Sequence, residues 1–383
     1  MPFQDFLQVM VDRNASDIYF TVGAPPMYRI EGITQPIGEG VFSPKDLEIL
    51  GRSIMTEHQW NEFVIQKEMN LALSISKLSR FRVNVFWQRG SVALVVRKIV
   101  VEIPTLAQLG LPDALKDIIM TKRGLVLVVG ATGSGKSTSL AAMIDHRNSS
   151  APGHIISVED PIEFVHPHKR SVVNQREVGF DTHSFHAALK SAMRQAPDVI
   201  LIGEIRDSET MEAAITFADT GHLCLATLHS TNANQAFERI LNFFSETRHP
   251  QILLQLSLNL RAIVSQRLAL GKNGRRVAVL EIMQDTPRIK ELIQRGEVGT
   301  IKEAMEQSAQ EGSQTFDMAL YELYAAGKID LEQALMYADS VNNLRLKIKV
   351  NEKKDAMVAG GKVEAGGFRI EGAGQPPRRL ERH

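Results

Sequence analysis

The chain has 383 residues, of which 44 are basic and 44 acidic, and 44% are apolar. That length supplies two or three domains with large cores, and the zero formal charge excludes a global electrostatic footprint for nucleic acid. The single cysteine, Cys224 in an apolar run, excludes an intrachain disulfide and fits a reducing cytoplasm.

The N-terminus, Met1-Pro2-Phe3-Gln4-Asp5-Phe6, lacks the basic stretch and apolar segment of a secretory signal. No apolar run approaches the ~20 residues of a membrane span, so action at a membrane would require recruitment by partners. Asp17 to Val22 and Pro26 to Glu31 are predicted as short strands about the turn Gly23-Ala24-Pro25. Ser43-Pro44-Lys45-Asp46 is a helix start, with a capping hydroxyl, proline at the first helical position and a carboxylate in the first turn. Leu47, Leu50, Ile54 and Met55 then recur at helical spacing. Leu71, Leu73 and Ile75 alternate along a strand; Phe81, Val83 and Val85 share one face of the next, with Arg80, Arg82 and Asn84 on the other. Val92 to Ile99 completes a small α+β domain over residues 1–102.

Ile103-Pro104 to Leu111-Pro112 is the expected linker, because each proline biases its predecessor away from helix. Short apolar runs follow at 125–129, 155–158, 199–202, 223–227 and 277–282, mostly separated by helical patterns. They predict strands buried on both faces, hence a mainly parallel α/β sheet over residues 113–285. The first run feeds Gly130-Ala131-Thr132-Gly133-Ser134-Gly135-Lys136-Ser137, a phosphate-binding loop, and Ser137-Thr138-Ser139-Leu140 continues as a helix. The loop's backbone N–H groups and the helix N-terminus converge on one anion. Lys136 reaches the terminal phosphates, and Ser137 is placed to hold Mg²⁺.

Ser157-Val158-Glu159-Asp160-Pro161-Ile162-Glu163-Phe164 puts three carboxylates at the end of the second core strand, where open α/β sheets bind ligands. Hydrolysis needs a carboxylate to orient or deprotonate water, and Glu159, Asp160 and Glu163 are all candidates. Asp198-Val199-Ile200-Leu201-Ile202-Gly203-Glu204 has the Walker B shape, with Gly203 where many such hydrolases carry aspartate. Glu204 is therefore the carboxylate expected to face the metal. Arg206 and Asp207 follow and are placed to pair with each other. His222 and His229 flank another apolar strand, where a histidine at each end can sense phosphate, meet a neighbouring subunit or simply be structural. Residues 286–350 are predicted as helices, and the Gly- and charge-rich segment 351–383 as a disordered tail.

Over about residues 1–345 these features resemble the bacterial secretion ATPases of the type II secretion and type IV pilus class: the phosphate loop, the acidic box at 157–164, the strand ending in Glu204, and the histidine box around His222 and His229. The short N-terminal domain and the lack of a tetracysteine insertion make the chain similar to the PilT/PilU family of pilus retraction ATPases. Arg288-Ile289-Lys290-Glu291-Leu292-Ile293-Gln294-Arg295 departs from an Ala-Ile-Arg-Asn-Leu-Ile-Arg-Glu motif of the PilT branch, and Ala196 stands where the family often has aspartate. Both, with the long tail, favour the PilU branch. The resemblance implies a PAS-like α+β N-terminal domain, a RecA-like ATPase domain with C-terminal helices, and a homo-hexamer that hydrolyses ATP with Mg²⁺. It further implies retraction of type IV pili, twitching motility, an inner-membrane platform protein, a partner retraction ATPase, and a cytoplasmic position at the pilus base.

Residue by residue, the resemblance assigns the water-activating role to Glu163. Lys136 and Ser137 become the phosphate and magnesium contacts, Glu204 the Walker B glutamate, and His229 the histidine-box residue. Arg82 and Arg97 become N-terminal-domain arginines that reach the phosphates as the domains close. Two other readings stay open: a nucleic-acid translocase on the same core, and a nucleotide-binding assembly subunit without turnover.

Overall fold

The computed structural model describes residues 2–75, 78–99 and 102–359. Six strands, β1 (Asp17–Phe20), β2 (Met27–Ile30), β3 (Ile33–Pro36), β4 (Glu68–Ile75), β5 (Ser79–Gln88) and β6 (Ser91–Ile99), form an antiparallel sheet of order β3-β2-β1-β6-β5-β4. The alternation in β5 sends Phe81, Val83 and Val85 into a core shared with Leu47, Leu50, Trp60 and Phe63. Helix Pro44–Ser53 starts as its sequence dictates: Ser43 and Asp46 form a reciprocal capping box. Helices Phe3–Asp12 and Glu57–Gln66 went unpredicted, although Thr56 and Gln59 cap the second in the same way. The opposite sheet face carries a row of charges. Across neighbouring strands Arg29 stands beside Asp17, Asp17 beside Arg97, and Arg97 beside Arg82.

The second sheet contains β7 (Gly124–Val129), β8 (Gly153–Glu159), β9 (Ser171–Glu177), β10 (Val199–Ile202), β11 (Leu223–Leu228), β12 (Leu260–Leu270) and β13 (Arg276–Gln284). Its order is β13-β12-β7-β11-β10-β8-β9, parallel throughout except for the antiparallel edge strand β13. Successive side chains of β7 divide between two cores: Leu125, Leu127 and Val129 in one, Val126 and Val128 in the other. Strands β10 and β11 divide likewise, and Cys224 is a buried apolar filler whose thiol burial pushes above its ordinary pKa. Full burial contributes roughly 1.5–3 kcal/mol for each such side chain, so the sheet is a firm frame for the loops at its carboxyl edge.

Three features differ from expectation. The 103–112 segment is no free linker, because Leu106 and Leu111 are buried in the second core with Leu115 and Val126. Helices Pro287–Arg295 and Ile301–Gln307 join the main core of the second sheet through Ile289, Leu292, Ile301 and Met305. Helices Phe316–Ala325, Leu331–Met336 and Val341–Ala359 instead build a separate cluster against Ala269 and Val279. The last helix continues past 350, where the tail was expected to begin; the expected tail from 360 onward lies outside the described residues. The whole is an α/β chain of a PAS-like α+β domain followed by a RecA-like sheet and C-terminal helices.

Candidate active site

Strand β7 ends at Val129, and helix Lys136–Ser150 begins after the glycine loop. A Cβ at Gly130 would lie 2.4 Å from Ser134 Oγ and 2.7 Å from Gln266 O, and one at Gly135 would lie 2.8 Å from Gln266 Nε2. Both glycines have positive φ, so no side chain fits either position. Within the loop Ser134 Oγ is buried with no hydrogen-bond partner. Lys136 Nζ donates to Gly130 O at 2.8 Å and Ala131 O at 3.0 Å. Burial lowers its pKa, opposed by the nearby charges of Glu204 and Glu163.

The acidic box and the loop meet directly: Ser137 Oγ donates to Glu163 Oε1 at 3.0 Å. Glu159 is different. It is enclosed, its Oε1 accepts from Ser157 Oγ at 2.6 Å and Gln175 Nε2 at 3.1 Å, and burial raises its pKa. Asp160 lies 3.8 Å from Arg206. Of the three candidates, Glu163 is the one bonded to the loop.

Glu204 follows the end of β10 by two residues, with both oxygens engaged: Oε1 with His229 Nε2 at 2.9 Å and Oε2 with Arg206 Nε at 2.7 Å. The expected Arg206–Asp207 pair is absent among the described contacts; Asp207 caps helix Ser208–Asp219 by accepting from Thr210 N at 2.7 Å. Gly203 has a steric cause: a Cβ there would meet Glu159 Cα at 3.1 Å and Val158 O at 3.2 Å. An aspartate there would crowd the backbone where strands β8 and β10 approach. His222 lies at the amino end of β11, remote from His229 at its carboxyl end, and its Nδ1 faces Thr220 Oγ1 and Phe217 O. Unlike His229, it does not line the cavity around Lys136.

Thr132, Gly133, Lys136, Ser137, Glu163, Glu204 and His229 line one cavity of about 240 Å³. Gly130, Ala131, Ser134 and Gly135 form the loop behind it, while half-buried Thr138 sits in the first helical turn outside the lining. Arg82 and Arg97 are not brought to the loop. Arg82 Nη2 stands 3.9 Å from Glu177 Oε1, and Arg97 Nε is held by Asp17 Oδ1 at 2.8 Å.

Sequence reasoning missed His166, Thr227 and Gln266. His166 lines the cavity, with its pKa lowered by burial to about 4. Thr227 Oγ1 donates to Gly203 O. Gln266 packs against loop glycines Gly130 and Gly135 from the middle of β12, where polar residues interrupt an apolar run. Among the described residues no three His, Cys, Asp or Glu side chains form a metal cluster. Ser137, Glu163 and Glu204 offer hard oxygens that suit Mg²⁺ when phosphate oxygens complete the set.

The family model described as type II/IV secretion system protein matches residues 3–336. The chain is 51% identical over 357 residues to the type IV pilus ATPase PilU of Pseudomonas aeruginosa, covering 93% of this chain and 94% of that one. It is 38% identical over 320 residues to a twitching motility protein of Neisseria gonorrhoeae, covering 83% and 86% respectively. A crystal structure of the pilus retraction motor PilT with bound ADP superposes with a TM-score of 0.84 at 39% identity, covering 90% of this chain and 99% of that one.

Proposed function

The chain belongs to the type II/IV secretion system protein family, and from that premise we propose that it is an ATP-hydrolysing motor for type IV pilus retraction and twitching motility. The observation that carries this reading is the Ser137–Glu163 hydrogen bond, which unites the phosphate loop and the acidic box in one cavity with Glu204 and His229. The loop N–H groups and Lys136 bind the triphosphate and stabilise charge that develops on it. Glu163 accepts the proton of the attacking water. His229 and Arg206 fix the Glu204 carboxylate at the cavity wall. Ser137 and Glu204 would hold Mg²⁺, which when bound neutralises phosphate charge.

The motor acts as a homo-hexamer at the cytoplasmic side of the pilus base, on an inner-membrane platform protein and alongside a partner retraction ATPase. Among the described residues no helix is long and apolar enough to cross a membrane, which is compatible with recruitment by partners. Two measurements test the reading: phosphate release by the purified chain, and deletion of its gene. Hyperpiliated cells, or piliated cells without twitching, support retraction; cells without pili would assign the chain to assembly instead.

Arg82 and Arg97 project from one sheet face, and closure of the N-terminal domain brings them to the phosphates. Replacing both by alanine is expected to lower turnover by roughly 10²-fold or more, with a much smaller loss of nucleotide affinity. Parallel titrations with a fluorescent nucleotide check this; equal losses of binding and turnover would make the pair structural.

A further inference from the structure

Glu177 ends β9 and is 1% exposed, yet its Oε1 has no hydrogen-bond partner. Two cations from the N-terminal sheet face it: Arg82 Nη2 is 3.9 Å from Oε1, and Arg80 Nη2 is 3.9 Å from Oε2. They flank buried Phe81 on β5, so both leave the same sheet face. Burial pushes the Glu177 pKa up, and Arg82 and Arg80 pull it back. The carboxylate also reaches toward the cavity, because Oε2 accepts from Ile162 N at 3.3 Å. Ile162 is itself buried and directly precedes Glu163, whose Oε1 accepts from Ser137.

We propose that Glu177 is a positioning residue that transmits the placement of the N-terminal sheet to Glu163, receiving it through Arg80 and Arg82 and passing it on through the Ile162 N–H. This rests on the ATPase reading of the same site. The two arginines stand beyond direct hydrogen-bond range, and an approach of only about 1 Å makes both contacts close. Withdrawal of the sheet leaves a buried carboxylate without its compensating charge, so that it settles more closely on the Ile162 N–H, its one hydrogen-bond donor among the described residues, whereas approach of the arginines draws it away. Either movement displaces the segment that carries the water-activating group. The sheet's position is thereby read at the reacting end of the site through Glu177, in addition to any contact Arg82 makes with phosphate on closure.

The test is steady-state phosphate release over a range of ATP concentrations for the full chain, Glu177→Gln, Arg80→Gln, the double variant and Glu177→Asp. Glutamine keeps the size and an acceptor for the Ile162 N–H while removing the charge. Glu177→Gln is expected to lower kcat about tenfold with KM within about twofold, and Arg80→Gln to lower kcat about threefold. The double variant should be no slower than Glu177→Gln, because the two residues act through one contact. Glu177→Asp should recover part of the loss. A wild-type kcat in Glu177→Gln, or losses that multiply in the double variant, overturns the proposal. Thermal melts identify a variant that fails to fold. Should Glu177→Gln be one, Arg80→Gln on its partly exposed face decides alone, and an unchanged kcat overturns the proposal. A full-length chain that releases no phosphate would sink both readings; an active chain indifferent to Glu177→Gln sinks this one only.

Discussion

Lys136→Ala is expected to remove ATP turnover, a loss of roughly 10³-fold or more, while leaving a folded protein. The ammonium stands in the cradle of the loop, bonded to Gly130 O and Ala131 O, with Glu163 and Glu204 close enough to act on its charge. Among the described residues no other lysine or arginine lines the cavity, and arginines that arrive only on domain closure do not take its place inside the loop. The fold loses little. The two carbonyls that Lys136 serves lie at a partly exposed loop where water can replace the donor, a cost of about 1 kcal/mol. Alanine is also a good residue for the first turn of helix Lys136–Ser150. Phosphate release and a thermal melt on the same preparation check both halves. Turnover at the wild-type rate would discard the site assignment, and a collapsed melt would mean that Lys136 serves the fold first.

Local signals made much of this molecule legible. Apolar runs marked β7, β8, β10, β11 and β13, because strands buried on both faces must be continuously hydrophobic. Strand β12 escaped because Ser265, which bonds Glu281, and Gln266, which packs against the phosphate loop, interrupt the apolar run from inside the sheet. Strand β9 escaped for a related reason. It lies at the sheet edge, where exposed Val172 and Asn174 alternate with buried Ser171 and Val173. The phosphate loop was readable because its glycines and lysine are fixed by backbone geometry alone. Choosing among Glu159, Asp160 and Glu163 from the residues was not possible, since the choice depends on which carboxylate β8 buries and which one reaches Ser137. The Arg206–Asp207 expectation failed for the same reason. Adjacent charges were given to each other when a helix needed one as its cap and Glu204 needed the other.

That choice among carboxylates yields the second large effect. Glu163→Gln is expected to lower kcat by about 10²–10⁴-fold, the usual worth of a positioned general base, with nucleotide affinity changed only a few-fold. The amide oxygen still accepts the Ser137 hydroxyl that Glu163 Oε1 accepts at 3.0 Å, so the geometry between loop and acidic box survives; what disappears is the ability to take a proton. Glu159→Gln is the matched control. Its carboxylate is enclosed, bonded to Ser157 and Gln175 and driven toward the neutral form by burial, so an amide there should hold turnover within about threefold. Single-turnover phosphate release with saturating ATP separates the variants, because it reads the chemical step without product release. Fast chemistry in Glu163→Gln together with slow chemistry in Glu159→Gln would move the base one turn of chain upstream. Equal slowing of both would mean that the acidic box acts as a shared electrostatic wall with no single proton acceptor.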